Sequence, residues 1–295
     1  MASTTSTSGR YAGAPNNIAA KLVRNVLFYA LMIILSFAFA LPLLWMISTS
    51  LKTDPQVYSV PPVWWPSPMR FLTYPEALTA RPFGLYTLNT VYYAFTSLIG
   101  VLISTTLVAY GFARIRWAGR DVFFILCIAT MMLPFQVRMI PLYLIFRDLQ
   151  WLNTYLPMIV PSFFAVNAYF VFLLRQFFLT IPEELSDAAR VDGCSELGIL
   201  MRIILPLAKS SLAVIALLQF MGAWDDYLRP VIYLSEEPLY PIALGLQQFR
   251  GAFHEELMWP KMMAASTTMI LPIILIFFFV QRTFVEGISI TGIKG

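Results

Sequence analysis

Long apolar runs constrain the fold of this chain more than any other feature. The first extends from Val26 to about Ile47, and about 20 apolar residues in a helix match the ~30 Å hydrocarbon core of a bilayer. Comparable runs lie at about 85–112, 121–140, 157–178, 205–227 and 257–281. Backbone polar groups in lipid must bond within their own segment, which favours helices. We therefore predict an all-α, polytopic membrane protein with about six transmembrane helices.

The composition also indicates that lipid is the solvent of this chain. Hydrophobic residues make up 59% of its 295 residues and charged residues only 12%. A chain of this length would suit two soluble domains, but it has too little polar surface to face water on all sides. The net charge of +4 is spread through the loops, without the basic stripe that nucleic-acid binding needs. We predict lipid as a partner and no nucleic acid.

The two ends of the chain differ from its apolar body. Residues 1–20 are mostly small and polar and cannot bury enough surface to fold, so we predict a disordered tail. Residues 21–282 form the predicted transmembrane domain, and residues 283–295 form a C-terminal tail. Ala38 to Ala40 resembles a signal-peptide cleavage site, but the apolar run continues to Ile47, which favours an uncleaved first span.

The distribution of Lys and Arg indicates the orientation of the spans. Six spans put both termini on one side, and most of the 20 Lys and Arg residues fall on that side. The compact loop at 113–120 carries Arg114, Arg116 and Arg120. Short cytoplasmic loops are enriched in these residues. We therefore predict that the termini, this loop and residues 180–209 are cytoplasmic.

Residues 180–209 are the longest charge-bearing interruption in the apolar second half of the chain. Thr180 followed by Glu183 fits a capping box, and Pro182 stands in the first turn, where its missing N–H costs nothing. The helix that begins there would continue to about Val191. The pattern predicts a short helix with acidic side chains and small alanines.

Gly193 and Ser195 predict a turn and a second helix. Glycine is favoured in the left-handed position after a helix because it has no Cβ. Ser195 can then cap a helix that leads into the next apolar run. A handful of residues would connect two spans, so a helix-turn-helix indicates an interaction surface. The alternative is an amphipathic loop that lies on the membrane surface.

The same segment contains a spaced set of residues that resembles a known motif. Asp187-Ala188-Ala189, then Gly193, then Ile203-x-Leu205-Pro206 resemble the EAA signature of bacterial ABC importer permeases. In that family the pattern is Glu-Ala-Ala, three residues, Gly, nine residues and Ile-x-Leu-Pro, and the spacing here agrees throughout. The departure is Asp187 in place of Glu, which keeps the charge and shortens its reach.

The resemblance covers most of the chain after the N-terminal tail. It is closest to carbohydrate-uptake permeases of the maltose type, specifically the smaller of their two paired subunits. It implies a permease domain at 21–282 that forms, with a second permease subunit, the path for a di- or oligosaccharide. It also implies a separate ABC ATPase dimer and an extracytoplasmic solute-binding protein. The chain would be a multi-pass protein of the bacterial inner membrane with cytoplasmic termini.

The resemblance further implies that residues 180–209 couple the ATPase to the spans. The residues expected at that contact are Glu183, Glu184, Asp187, Ala188, Ala189, Asp192 and Gly193. On this interpretation Asp187, Ala188 and Ala189 face the ATPase. The apolar Leu185 and Val191 would turn towards the spans. Small alanines permit close approach, and a carboxylate can pair with a basic group across the contact.

The stretch 219–230, QFMGAWDDYLRP, resembles the end of the fifth span in sugar permeases, with Asp225 where Asn is frequent. Aromatic rings stack on the C–H faces of sugars, and carboxylates accept hydrogen bonds from hydroxyls. We therefore predict that Trp224, Asp225 and Tyr227, with Asn89 of the second span, lie along the substrate path. The alternatives are an interfacial aromatic anchor for this stretch and helix packing for Asn89.

Enzymatic and metal chemistry find no support in the sequence. The chain has no G-x-x-x-x-G-K-[ST] loop, no H-E-x-x-H and no G-x-S-x-G, and it has one histidine. Cys127 and Cys194 lie in different predicted compartments, so we expect no disulfide between them. Neither has a Cys or His neighbour at ligand spacing, so we expect no metal site there. For the carboxylate pair Asp225-Asp226 we favour a structural role over catalysis or metal binding. We predict no enzymatic activity, no metal and no cofactor in this chain.

Other functions compete with the importer interpretation. An ion-coupled secondary transporter would need ionisable groups deep in its spans and an internal repeat. The mid-span stretches contain no Asp, Glu, Lys or Arg, at 28–45, 91–108, 122–133 and 262–279. A non-transporting scaffold explains the spans but not the spacing of the signature. Among importers, one for glycerol-phosphate or another polyol is the alternative.

Overall fold

A computed structural model of the chain describes residues 18–250 and 258–292, and the regular structure in these ranges is helical. The helices are α1 (Ile18–Ser50), α2 (Asp54–Val57), α3 (Thr73–Ala80), α4 (Phe83–Ala113), α5 (Arg120–Ala129), α6 (Phe135–Asp148), α7 (Leu156–Ile159), α8 (Ala168–Thr180), α9 (Glu183–Val191), α10 (Glu196–Ile199), α11 (Leu205–Leu207), α12 (Lys209–Trp224), α13 (Leu228–Tyr233), α14 (Ile242–Leu246) and α15 (Trp259–Gly292). A π-helical turn at Leu200–Ile204 joins α10 to α11.

The helices contain the apolar segments that the sequence predicts. Within residues 18–250 and 258–292, four segments are long and apolar enough to cross a membrane: Lys21–Ser50, Phe83–Ala113, Leu156–Thr180 and Trp259–Phe279. Two further segments are bent pairs of helices, Arg120–Met132 with Phe135–Asp148 and Glu196–Leu207 with Lys209–Trp224. The all-α, polytopic class is confirmed, and the part of the chain that the structure describes provides up to 6 spans if each bent pair is one span.

The predicted third span is broken at Leu133 and Pro134, where the flanking helical segments meet at 99°. Leu133 has φ −88° and ψ 106°, outside the helical region. The ring of a following proline disfavours helical dihedrals in the residue before it. The predicted third span, 121–140, is therefore not one helix, because α6 begins after the break and continues to Asp148.

The predicted fifth span, 205–227, is also interrupted. The chain turns by 81° at Ala208, and the continuous helix begins only at Lys209. Pro206 removes one N–H from the helical ladder. The π-helical turn before it already widens the i→i−4 pattern. The bend separates the polar segment from the span that follows it.

Helix α4 lies at the centre of the fold and contacts α8, α12 and α14. Its 31 residues extend about 46 Å at about 1.5 Å per residue, and no proline interrupts it. One cluster of buried side chains surrounds its N-terminal half and includes Tyr86, Tyr93, Phe220 and Trp224. A second cluster surrounds its C-terminal half and includes Tyr110, Leu174, Phe178, Ile199 and Leu200.

The two ends of the described chain pack together, because α1 contacts α15. Helix α15 continues through most of the predicted C-terminal tail, to Gly292. At the other end α1 begins at Ile18. The rest of the predicted N-terminal tail lies outside the described residues, as do residues 293–295 and the one histidine, His254.

Gly245→Ala is expected to destabilise the protein. A Cβ at this buried position would collide with the Tyr86 ring. That ring is fully buried, and its hydroxyl donates to Glu237 at 2.6 Å, so it cannot move aside without losing this bond. We expect a loss of about 1–3 kcal/mol, measured by thermal unfolding of the purified protein. Gly222→Ala is the matched control, since a Cβ there meets nothing within 4 Å. Equal melting temperatures of the two variants would refute the close approach.

Candidate functional site

The polar segment folds as the helix-turn-helix that the sequence predicts. Helix α9 ends at Val191, as expected, and Gly193 has the left-handed φ of 81°. The N–H of Gly193 donates to the carbonyl of Arg190 at 3.0 Å, which closes the turn. Ser195 caps the second helix, since its hydroxyl oxygen accepts from the Gly198 N–H at 3.2 Å.

The predicted capping box is wrong. Thr180 is the last residue of α8, and its hydroxyl donates to the Phe177 carbonyl at 2.7 Å. The N-cap of α9 is Pro182, with an extended ψ of 135° and no side-chain cap. Glu183 instead pairs with Arg116 at 3.1 Å. The preceding helix keeps Thr180 because its hydroxyl finds a carbonyl in its own last turn.

The prediction for the two faces of α9 is wrong at Ala189, Leu185 and Val191. Ser186 and Ala189 are buried, and Ala189 belongs to the same cluster as the C-terminal half of α4. Leu185 and Val191 are exposed, Val191 to 88%, so they do not turn towards the spans. Ala188 is exposed, and its contact with an ATPase stays a prediction. The buried side chains are the small ones because α9 lies close against its own chain, where larger residues would not fit.

Apolar side chains therefore cover the exposed side of the helix-turn-helix. The exposed face comprises Leu185, Ala188 and Val191 of α9, with Leu197 and Met201 after the turn. The carboxylates of Glu183, Glu184, Asp187 and Asp192 are exposed around it. An apolar patch with a charged rim is typical of a protein–protein contact.

Arg190 joins the two helices of this segment. Its Nη1 donates to Asp187 Oδ1 at 2.7 Å, and its Nε donates to Glu196 Oε1 at 2.8 Å. The planar guanidinium can hold two carboxylates in fixed directions. These bonds, that to Glu196 foremost, raise the pKa of Arg190 above its ordinary value. The signature acid, Asp187, therefore has a partner within its own chain.

The arginine-rich loop at 113–120 contacts the same segment. The buried Arg114 donates from Nη2 to the carbonyls of Phe178 and Ile181, at the C-terminus of α8. A positive charge stabilises that end of a helix. Arg116 adds the exposed pair with Glu183. The loop and the helix-turn-helix therefore lie at the same end of the molecule.

Sequence reasoning missed Arg190, Glu196 and Tyr110 as parts of this site. The spacing of Asp187 and Arg190, three residues apart on one helix, is a signal that could have identified the first pair. The Tyr110 hydroxyl donates to Glu196 Oε2 at 2.6 Å, across 86 positions of sequence. No local pattern distinguishes this tyrosine from its neighbours.

The predicted substrate-path residues lie near the N-terminal half of α4, away from the helix-turn-helix. Trp224 is 2% exposed, and its indole N–H donates to the Met269 carbonyl at 3.1 Å, so its ring packs inside the chain. Asn89 donates to the carbonyls of Pro238 and Tyr240 at 2.8 and 3.1 Å. Asp225 and Tyr227 are exposed. Contact of these residues with a solute stays a prediction.

The paired carboxylates Asp225 and Asp226 have different surroundings. Asp226 accepts from the Tyr93 hydroxyl at 2.9 Å and pairs with Arg229 at 2.8 Å, which is a structural role at the end of α12. Asp225 is exposed. Among the residues that the structure describes, no group of three or more His, Cys, Asp or Glu is arranged for a metal ion. Cys127 and Cys194 are free thiols.

The fold and the site together define a polytopic helical membrane protein with an exposed helix-turn-helix beside its spans. The family model described as "Binding-protein-dependent transport system inner membrane component" matches residues 97–290. The chain belongs to this family. The match includes the whole segment 180–209 and most of α4.

Relatives and a solved structure agree with this membership. The arabinooligosaccharides transport system permease protein AraQ of Halalkalibacterium halodurans is 36% identical over 207 residues, 70% of this chain and 73% of that protein. The sn-glycerol-3-phosphate transport system permease protein UgpE of Yersinia pestis is 32% identical over 209 residues, 71% and 74% respectively. A chain from a crystal structure of a bacterial ABC transporter involved in import of the acidic polysaccharide alginate gives a TM-score of 0.78 at 26% identity, covering 89% of this chain and 97% of that chain.

Family membership decides between several alternatives that the sequence left open. The chain is an ABC transporter permease and a component of the inner membrane. It belongs to a family of transport proteins, which are not enzymes. An ion-coupled secondary transporter and a scaffold are excluded as its class. Membership also implies an importer with a partner permease and an ATPase.

Proposed function

We propose that this chain is one of two permease subunits that together form the path for a di- or oligosaccharide. The observation that carries the proposal is the exposed apolar face on a signature-bearing helix-turn-helix, at the arginine-rich end of the spans. The sugar class is supported by the similarity to an arabinooligosaccharide permease and to an alginate importer. A solute-binding protein delivers the sugar from the other side of the membrane.

A separate ATPase pair supplies the energy. ATP binds to those subunits, and this chain holds no cofactor. The exposed face of the helix-turn-helix sits in a groove of the ATPase, with the carboxylates of Glu183, Glu184, Asp187 and Asp192 at its rim. That groove must differ in shape between the two ATPase states, because a contact that is equal in both states transmits no bias.

The solute path lies beside the N-terminal half of α4. Asp225 and Tyr227 are exposed there and offer a carboxylate and an aromatic ring, which suit a sugar. Asn89 holds the residues after α13 against α4 through its bonds to the carbonyls of Pro238 and Tyr240, and so supports the wall of the path. Trp224 supports the same end of α12 from inside the chain.

Stimulation of ATP hydrolysis tests the proposed function. The permease pair, its ATPase and its binding protein are reconstituted in proteoliposomes, and a panel of sugars and polyols is added. We expect one or more di- or oligosaccharides to stimulate hydrolysis when the binding protein is present. Stimulation by none of the panel would contradict the proposal.

A phosphorylated polyol is the second candidate substrate. The observation that favours it is the 32% identity to a glycerol-3-phosphate permease over 71% of this chain. The same panel distinguishes the two, because stimulation by sn-glycerol-3-phosphate alone would replace the sugar assignment and leave the role as an importer permease intact.

The orientation of the chain has its own test in Cys194. This thiol lies in the turn of the helix-turn-helix and is partly exposed. In a variant without Cys127, a membrane-impermeant thiol reagent is expected to label Cys194 only after the inner face is opened. Labelling in intact, energised cells would reverse the proposed orientation, with the termini then outside.

A further inference from the structure

The C-terminal end of α4 is bonded directly to the helix-turn-helix. Tyr110 of α4 is buried, and its hydroxyl donates to Glu196 Oε2 at 2.6 Å. Arg114, which follows α4, donates to the carbonyls of Phe178 and Ile181, at the C-terminus of α8 just before α9 begins. Helix α4 therefore meets the segment both before its first helix and at its second.

Both carboxylate oxygens of Glu196 are occupied. Oε2 accepts from Tyr110, and Oε1 accepts from Arg190 Nε at 2.8 Å. Arg190 in turn donates from Nη1 to Asp187 at 2.7 Å. The result is a continuous chain of hydrogen bonds from the signature acid of α9, through α10, to α4. Charge-assisted bonds of this kind are about twice as strong as neutral ones.

The opposite end of α4 is bonded to the residues that follow α12. Tyr86 donates to Glu237 at 2.6 Å, Tyr93 donates to Asp226 at 2.9 Å, and the Thr90 hydroxyl accepts from the Ile242 N–H at 2.8 Å. Helix α4 itself is continuous, whereas α1 and α15 contain Pro42 and Pro272. An unbroken helix moves as one body more readily than one weakened by a proline.

We propose that Glu196 is the positioning residue that ties the ATPase-docking helix α9 to α4, and that α4 transmits the ATPase state to the outer end of the permease. Asp187 serves this connection by orienting Arg190 towards Glu196. The proposal rests on the proposed function, since it needs an ATPase on the exposed face. Beyond that function, we infer that α4 is the span that receives the movement, through the bonds of Glu196 with Arg190 and Tyr110.

Tyr110→Phe and Glu196→Gln test the connection in the reconstituted complex. Tyr110→Phe removes one hydroxyl and keeps the ring, whose centroid lies 6.4 Å from that of Phe178. We expect each variant to retain the ATPase on purification and to lose about tenfold of the solute stimulation of hydrolysis, equivalent to about 1.4 kcal/mol. The double variant is expected to lose no more than Glu196→Gln alone, since that substitution already weakens the bond from Tyr110, together with the bond from Arg190. Tyr29→Phe, at an exposed tyrosine of α1, is the matched control and is expected to behave as the parent.

The outcomes separate this inference from the proposed function. A parent complex that no solute stimulates contradicts the proposed function before any variant is made. A stimulated parent whose Tyr110→Phe and Glu196→Gln variants keep full stimulation overturns the inference alone, as do losses that multiply in the double variant. Release of the ATPase by Tyr110→Phe would also overturn it, because the bond would then serve only to fold the docking surface. Glu196→Asp keeps the charge and is expected to retain more of the solute stimulation than Glu196→Gln.

Discussion

Ala188→Trp is expected to release the ATPase from the membrane complex. Ala188 lies at the middle of the exposed face, between Leu185 and Val191, and its side chain is small. An indole there would hold the two surfaces apart, since a fitted interface tolerates little added volume. Overpacking costs about 1–3 kcal/mol, and about 1.4 kcal/mol is tenfold in affinity. The measurement is recovery of the ATPase with affinity-tagged permease.

Ala80→Trp is the control for this substitution. Ala80 is an exposed alanine at the end of α3, which precedes the N-terminus of α4 and so lies far from the helix-turn-helix. We expect this variant to retain the ATPase in full. If Ala188→Trp also retained it, with solute-stimulated hydrolysis, the helix-turn-helix would not be the docking site.

Gly193→Val is expected to impair transport while the chain still inserts. The φ of 81° at this position is left-handed, and a Cβ there would meet nothing within 4 Å. The expected effect is therefore a backbone strain of about 1–2 kcal/mol and not a collision. Strain in the turn shifts α9 relative to α10, and we expect uptake to fall by about tenfold. Uptake is measured with labelled substrate and normalised to permease in the membrane.

Gly193→Asn is the matched variant, since asparagine visits the left-handed region more readily than other residues with a side chain. Uptake by Gly193→Asn is expected to lie close to that of the parent and well above that of Gly193→Val. Equal uptake by the two variants would mean that the left-handed turn has no part in coupling.

Local rules explain which parts of the site could be predicted from sequence. The end of α9, the left-handed Gly193 and the Ser195 cap each depend on residues within a few positions, and all three are found. The all-α class could be predicted because each apolar run is a continuous stretch of sequence long enough to form a membrane-spanning helix. The capping box at Thr180 failed because α8 ends in that residue and competes for its hydroxyl.

Tertiary packing decided what the sequence could not show. The inward face of α9 depends on how closely the helix approaches its neighbours, and small Ser186 and Ala189 meet that need better than Leu185 or Val191. The breaks at Pro134 and Ala208 could be suspected from nearby prolines, but many membrane helices tolerate proline. The bond from Tyr110 to Glu196 joins residues that no sequence period connects.

A site-specific cross-link tests the central claim most directly. Cysteine replaces Ala188 in a chain without Cys127 and Cys194, and a short thiol-reactive cross-linker is added to the assembled complex. We predict a covalent product with the ATPase whose yield changes when ATP is added. A cysteine at Val60, which is 94% exposed and lies before the N-terminus of α4, is predicted to give none. An intact complex that gives the ATPase product from position 60 and none from position 188 would contradict the account.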